Sequence, residues 1–241
     1  MTDAKLHNTA FRVKSASMLL KGLSITLICL VALTAIAYVI SVFYDRYSSF
    51  TVSLDRYDMV DQGLTLSETP TFETPIARLN AKSIKEITNI SYDQIEQNVD
   101  SINGSHNGSE YIAYTFYCKN MGKSTITYKY GVYLSNVTKN IDEALYITLY
   151  VDGVPTTYAK IKKDGSGPEE YDAGKKAVPF EKLATVVENK ITDFQPGDVT
   201  KYTIVIWLNG NDPECVDYPA EASIVGGRVK IDMVCEIVEA S

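Results

Sequence analysis

The chain is poor in the residues that most often carry catalysis. Its 241 residues include two histidines, one tryptophan and four cysteines. His7 lies in the first few residues, and His106 sits in a run of Asn, Gly and Ser, DSINGSHNGSE. With one histidine beyond the N-terminal region there is no HExxH and no histidine pair for a protease-type zinc site. A Ser-His-Asp set would have to use His106 with its neighbours Ser105 or Ser109, in a loop that offers no oxyanion framework. No CxxC or zinc-type cysteine spacing occurs, and four cysteines are too few for a disulfide scaffold. No glycine-rich stretch leads into a helix, because Gly226-Gly227 precedes a strand pattern, so a phosphate-binding loop is missing too.

Charge is missing from one stretch altogether. Gly22 to Phe43, GLSITLICLVALTAIAYVISVF, has no Asp, Glu, Lys or Arg. As a helix, a run of this length would extend roughly 33 Å, enough to cross a hydrocarbon core of about 30 Å. No second run of this kind follows, which excludes a channel or multi-pass transporter. The rival reading is a cleaved signal peptide, with Ala35-Ile36-Ala37 as a small-x-small exit. The apolar run is longer than a signal peptide's and continues past Ala37, which favours a retained anchor.

Positive charge separates the two sides. Residues 1–21 carry Lys5, Arg12, Lys14 and Lys21 against Asp3, whereas Tyr44 to Asp58 carries only Arg46 and Arg56 among three aspartates. Cationic residues stay cytoplasmic, so the expected layout is a cytoplasmic tail over 1–21, a transmembrane helix over 22–43 and an extracellular domain over 44–241. Tyr38, Phe43, Tyr44 and Tyr47 would suit the headgroup region. The whole chain has a net charge of −7 with a cationic tail, so the outer part is more acidic still. That argues against nucleic acid and anionic lipid as partners.

The outer part reads as strands. Tyrosine accounts for 17 of the aromatics, and it suits strands with one wet face. Ser49–Asp55 and Gly63–Glu68 alternate. Ile76–Asn98 is ambiguous, with Ile84, Ile87, Ile90 and Ile95 spaced partly like a helix, and is expected as a short helix or irregular crossover. Tyr111–Lys119, with Ile112, Tyr114, Phe116 and Cys118 on one face, is expected to form a hairpin with Ser124–Leu134. Ala144–Val151 and Thr156–Ile161 form another through Asp152-Gly153, a type I′ signal. Leu183–Phe194 and Thr200–Leu208 join through Gln195-Pro196-Gly197-Asp198, a type II turn. Trp207 to Arg228 reads as a long hairpin into the last strand. There Val229, Ile231, Met233, Cys235 and Ile237 alternate against Lys230, Asp232 and Glu236. Lys162–Lys176 reads as an exposed charged loop. Together these patterns predict an all-β fold, an antiparallel β-sandwich of jelly-roll or Greek-key type.

Candidate sites are few. Asp212, Glu214 and Asp217, with Asn209 and Asn211, could offer oxygen ligands to Ca²⁺, as could Asp55, Asp58 and Asp61. Neither set has EF-hand spacing, and a solvated acidic loop accounts for each. Cys29 falls inside the apolar run, which leaves Cys118, Cys215 and Cys235 outside. Cys118 and Cys235 both face inward by alternation and could form a disulfide or remain buried thiols. Pairing of Cys235 with Cys215 is disfavoured if the last two strands pair.

Two stretches carry a resemblance. Tyr111–Gly122 (YIAYTFYCKNMG) and Gly197–Ile231 (GDVTKYTIVIWLNGNDPECVDYPAEASIVGGRVKI) are similar to membrane-anchored surface proteins of Gram-positive, Firmicute-type bacteria that have no assigned function. More distantly the plan resembles the TasA/camelysin group of secreted jelly-roll proteins. That likeness implies a matrix or fibre subunit assembled by strand donation, and camelysin is also described as a peptidase. The chain departs from the group in its basic tail and uncleaved anchor. It also lacks a recognisable catalytic set, so peptidase activity is not carried across.

The expectation is a non-enzymatic, cofactor-free surface protein, held by a single-pass anchor, that binds protein partners or itself. The alternative is a Ca²⁺-dependent or carbohydrate-binding module, with tyrosines as stacking faces.

Overall fold

The computed structural model describes residues 21–39, 49–54, 63–84, 87–219 and 223–240. The tail before Lys21, the aromatic residues Phe43, Tyr44 and Tyr47, and the Asp55, Asp58 and Asp61 group lie outside them. The chain divides into two compact units, Met1–Asp45 and Arg46–Ser241.

In the first unit, α1 (Lys21–Val39) is one uninterrupted apolar helix, long enough to cross a membrane, with none of it buried. Its threonine hydroxyls are satisfied within the helix: Thr26 Oγ1 donates to the Gly22 carbonyl and Thr34 Oγ1 to that of Val31, each at 2.9 Å. This removes the cost of carrying a free polar group into hydrocarbon.

The second unit is an all-β sandwich. Its strands are β1 (Ser49–Leu54), β2 (Leu64–Ser67), β3 (Arg78–Asn80), β4 (Gly104–Ser105), β5 (Ile112–Asn120), β6 (Ile126–Thr138) and β7 (Leu145–Val151). They continue as β8 (Val154–Ala159), β9 (Glu170–Asp172), β10 (Lys175–Lys176), β11 (Val178–Pro179), β12 (Thr185–Phe194), β13 (Val199–Leu208) and β14 (Arg228–Ala240). Sheet I has the order β12-β6-β14-β1-β3, and sheet II the order β11-β8-β7-β13-β5-β2 with β4 beside β5. A separate ribbon pairs β9 with β10 inside the charged 162–176 loop.

The main core lies between the sheets. Phe50, Val52, Tyr128 and Met233 of sheet I meet Leu64, Phe116, Ile147 and Tyr202 of sheet II there. Alternation along β14 is as expected: Ile231, Met233 and Cys235 are buried, and Val229 and Ile237 are partly buried against the same core. The β7–β8 hairpin also follows the expectation. Val151 pairs with Val154, and Asp152 (φ 49°) and Gly153 (φ 83°) take the left-handed conformations a type I′ turn requires.

Pairing differs from the sequence expectation in three places. β5 and β6 do not form a hairpin, because β5 lies in sheet II between β13 and β2 while β6 lies in sheet I between β12 and β14. β12 and β13 also belong to different sheets, so the Pro196-Gly197 turn carries the chain across the sandwich. β13 and β14 are likewise unpaired with each other, which removes the reason given for separating Cys215 from Cys235. β14 instead pairs antiparallel with β6 and parallel with β1, the latter over Ser49↔Lys230 to Leu54↔Cys235. Asn120 ties two of the crossings together. Its fully buried amide donates to the carbonyls of Ser124 and Phe194, each at 2.9 Å, and its Oδ1 accepts from Gly122 N–H at 2.9 Å.

Among its described residues the 76–98 segment contains no α-helix and is the irregular crossover of the two alternatives. It holds β3 and a single 3₁₀ turn at Tyr92–Gln94. Its isoleucines serve two cores: Ile84 and Ile87 pack against the main core, and Ile90 and Ile95 against a second one.

Candidate functional site

That second core covers the outer face of sheet II. Side chains alternate along a strand, so Ala113 of β5, Tyr146 of β7, and Val205 and Trp207 of β13 point away from the main core, and Tyr111, just before β5, joins them. Ile90, Ile95, Val99 and Ala177 cover them. Trp207 is fully buried at its centre. Around it the rings of Tyr146 (5.7 Å between centroids), Tyr92 (5.9 Å) and Tyr171 (6.3 Å) form an aromatic cluster, and Tyr92 and Tyr171 meet edge-on at 5.0 Å.

A cavity of about 190 Å³ opens beside this cluster, lined by Ser91, Tyr92, Asp93, Glu170, Tyr171, Asp172, Ala173 and Asn211. Its chemistry is aromatic and acidic. Lys175 shows what such a site attracts: its Nζ lies 4.7 Å from the Tyr92 ring centroid and 2.9 Å from Asp172 Oδ2. An ammonium over a tyrosine face beside a carboxylate is a cation–π arrangement.

The acidic loop read from the sequence runs along the same side, but its three carboxylates go to three different environments. Asp212 is buried, accepts the Tyr146 hydroxyl at 2.9 Å through Oδ2, and caps Glu214 N–H at 2.9 Å through Oδ1. Burial raises its pKa, against the opposing pull of those hydrogen bonds. Burial likewise raises the Tyr146 phenol, and the Asp212 charge adds to it. Glu214 Oε1 accepts from Lys163 N–H at 3.2 Å, and burial, with the Glu143 charge adding to it, raises its pKa against that hydrogen bond. Lys160 sits among these acids, 2.8 Å from both Asp142 and Glu143. Asp217 is exposed and lines another cavity, of about 540 Å³, with Ile141, Leu208, Cys215 and Ile224. Among the described residues no three His, Cys, Asp or Glu side chains converge as a metal site. Asp212, Glu214 and Asp217 are therefore not brought together as a ligand set.

His106 is engaged by the backbone. Its Nδ1 faces the Gly104 carbonyl and its Nε2 the Val99 carbonyl, each at 2.8 Å, so neither nitrogen addresses a serine. Ser105 Oγ accepts from Lys82 N–H instead, at 3.0 Å. Cys118 and Cys235 are fully buried and are free thiols in the structure, side by side rather than bonded. Cys215 is partly buried and accepts from Asn89 Nδ2 at 3.3 Å.

The aromatic cluster escaped the sequence reading. Its signal is present in β13, where Ile204 to Leu208, IVIWL, is apolar without alternation, the mark of a strand covered on both faces.

No family model matches the chain, and no curated protein matches it. Among solved structures, an α-xylosidase from Xanthomonas citri is 10% identical with a TM-score of 0.22, over 61% of this chain and 12% of that one. A β-glucosidase from Kluyveromyces marxianus is 10% identical with a TM-score of 0.25, over 73% of this chain and 16% of that one. The chain thus spans less than a fifth of either protein, and likeness at this level carries no argument about activity.

Proposed function

We propose that the chain is a single-pass membrane protein with a cytoplasmic N-terminus, whose β-sandwich stands outside a bacterial cell in a structural or interaction role. One observation carries this reading: an apolar helix, the one candidate span among the described residues, lies about ten residues before the first strand of an acidic sandwich in sequence. The cationic residues before the helix set the direction.

Contact with partners fits a face better than an edge. The end strands of both sheets are short or blunted, as in proteins that avoid edge pairing. β3 has three residues, β11 has two with Pro179 as one of them, and β2 has four. β12 is longer, but its outward N–H groups are partly taken: Glu181 Oε1 accepts from Glu188 N–H at 3.0 Å and Asn189 Oδ1 from Lys190 N–H at 2.8 Å. Kinship with the TasA group through strand donation therefore gains no support from these edges. The test is protease added to intact protoplasts, followed by crosslinking of untreated cells. Removal of the sandwich with the tail protected, and crosslinks to other surface components, are expected. A chain digested only after lysis would overturn the placement.

A second reading is favoured by the pocket at Tyr92 and Tyr171: a ligand-binding module for a cationic or polyhydroxylated group. A glycan and amine panel, read by thermal melting with and without Ca²⁺, tests it. No shift under any condition would remove it.

A further inference from the structure

Cys118 and Cys235 come from opposite sheets. Cys118 lies on β5 of sheet II, opposite Thr200 of β13, and Cys235 on β14 of sheet I, opposite Tyr130 of β6. Both are fully buried in the one core between the sheets.

Two tyrosine contacts locate them relative to each other. Residues paired across strands share a face, and so do residues two apart along a strand. Tyr202 is two residues from Thr200, so it shares the face of Cys118; Tyr130 shares the face of Cys235. Across the core the Tyr130 and Tyr202 rings meet at 5.3 Å. Tyr128, two residues before Tyr130, shares a buried hydroxyl–hydroxyl hydrogen bond of 2.8 Å with Tyr202. The gap between the sheets is thus closed by direct contact beside the two cysteines. Cys118 has Cys235 and the Tyr128 hydroxyl as its electrostatic neighbours in this part of the core. Cys215 stands apart from this cluster, on a loop bonded to Asn89.

We infer that Cys118 and Cys235 form a disulfide site that bolts sheet I to sheet II. This rests on the outer placement proposed above, because disulfides persist outside the reducing cytoplasm. Burial pushes the Cys118 thiol well up, so the closed core suppresses the thiolate that exchange requires. The bond therefore forms while the sheets are coming together. The oxidant is the disulfide of a thiol–disulfide oxidoreductase. One cysteine thiolate attacks it to give a mixed disulfide, and the second displaces the oxidoreductase cysteine. The chain loses two protons and two electrons, and the oxidoreductase disulfide becomes a dithiol. Because Cys235 is on β14, and β14 pairs with β1, the bond also secures the strand that follows the anchor in sequence.

Counting thiols tests the inference. The full chain, extracted from membranes in detergent, is denatured with a maleimide mass tag, with and without prior reduction. Two tags before reduction and four after are expected, with a linked peptide pair containing Cys118 and Cys235. A linked pair containing Cys215 would overturn the assignment. In a second arm the reduced, denatured chain is refolded in a mixture of reduced and oxidised glutathione. Recovery of the bond is expected, with a melting temperature about 10 °C above that of the thiol form. Failure to recover it overturns the core geometry on whichever side of the membrane the sandwich lies. Four free thiols in cells, with recovery in glutathione, overturn the bond in the cell and trace the failure to the outer placement.

Discussion

Along β14 of sheet I, Ile231, Met233 and Cys235 are buried while Asp232 and Val234 between them remain partly exposed. Along β13 of sheet II, every residue from Tyr202 to Leu208 is buried. Both strands face the same core with one side. They differ in what covers the other: water at sheet I, and the 90–99 segment with Tyr171 and Ala177 at sheet II. The difference explains why β14 alternates in polarity and β13 does not. It also locates the chemistry, since the aromatic cluster, the acidic pocket and Asp212 all belong to the covering layer of sheet II. A layer that must cover apolar strands and still reach water is where aromatic bodies and polar tips come together.

The strongest way to break this comparison is to substitute on both faces of each strand. Trp207→Ala, on the outward face of β13, should cost about 3–5 kcal/mol, as for any large core aromatic, and Ile231→Ala on the inward face of β14 about 2–5 kcal/mol. Asp232→Ala, on the outward face of β14, should cost only about 0.5 kcal/mol, since its partners, Lys230 at 3.2 Å and the Ser135 hydroxyl, are themselves partly or fully exposed. Denaturant titration of the full chain in micelles measures all three. If Trp207→Ala were as mild as Asp232→Ala, sheet II would have a wet outer face and the contrast would collapse.

Asn120 sharpens the comparison at the points where chain passes between the sheets. Asn120→Ala strips hydrogen bonds from the Ser124 and Phe194 carbonyls and from Gly122 N–H. An effect of about 2–3 kcal/mol is expected, the cost of leaving buried polar groups unpaired. Asn120→Asp, which keeps the acceptor but sets a carboxylate against those two carbonyls in a buried site, should cost more than Asn120→Ala in the same titration.

The covering layer should also make stability depend on pH. Asp212 and Glu214 are both raised by burial. A carboxyl raised in the folded state keeps its proton over a range where the unfolded chain has released it. Its contribution is then fullest below the unfolded value and is lost as pH rises through the folded one. Melting temperature should therefore decline with rising pH just above the usual carboxylate range. Asp212→Asn should flatten that decline; an unchanged slope would mean that Asp212 is not held in a desolvated site.

The smallest effect is expected at the pocket rim. Asp172→Ala removes the 2.9 Å pair with Lys175, whose side chain is half exposed. Stability should barely change, since solvent screens an exposed pair. Mobility of the Lys175 side chain over Tyr92 should nevertheless increase, measurable by NMR relaxation of a labelled lysine.

Much of this was legible in order along the chain. The charge-free run marks α1, and alternation marks β14 and its core face. The Asp152-Gly153 pair marks the β7–β8 hairpin through its demand for left-handed backbone. Short loops misled where they were read as hairpins. Asn120 to Lys123 and Gln195 to Asp198 have turn chemistry, yet each carries the chain from one sheet to the other. A turn sequence specifies a reversal of the backbone, and a reversal serves equally within a sheet or across a sandwich. The four isoleucines of the 84–95 segment left helix and irregular crossover both open for a related reason. Their helix-like spacing comes from one irregular segment feeding two cores. The acidic loop was found, but the separate fates of Asp212, Glu214 and Asp217 depend on Tyr146 and Glu143, which lie on other elements.

By itself, then, the sequence determined the apolar helix, the positions of the principal strands and the side chains each strand turns inward, because length, charge and period are local properties. The tertiary structure decided which strands pair, which sheet is covered twice and which buried residues meet. Alternation with a period of two assigns a residue to a face without naming the neighbour, and apolar burial rewards contact without direction. Cys118 and Cys235 show the division of labour. Their inward orientation is written in β5 and β14, and their nearness is decided by the sheet packing that brings Tyr202 against Tyr128 and Tyr130 across the core.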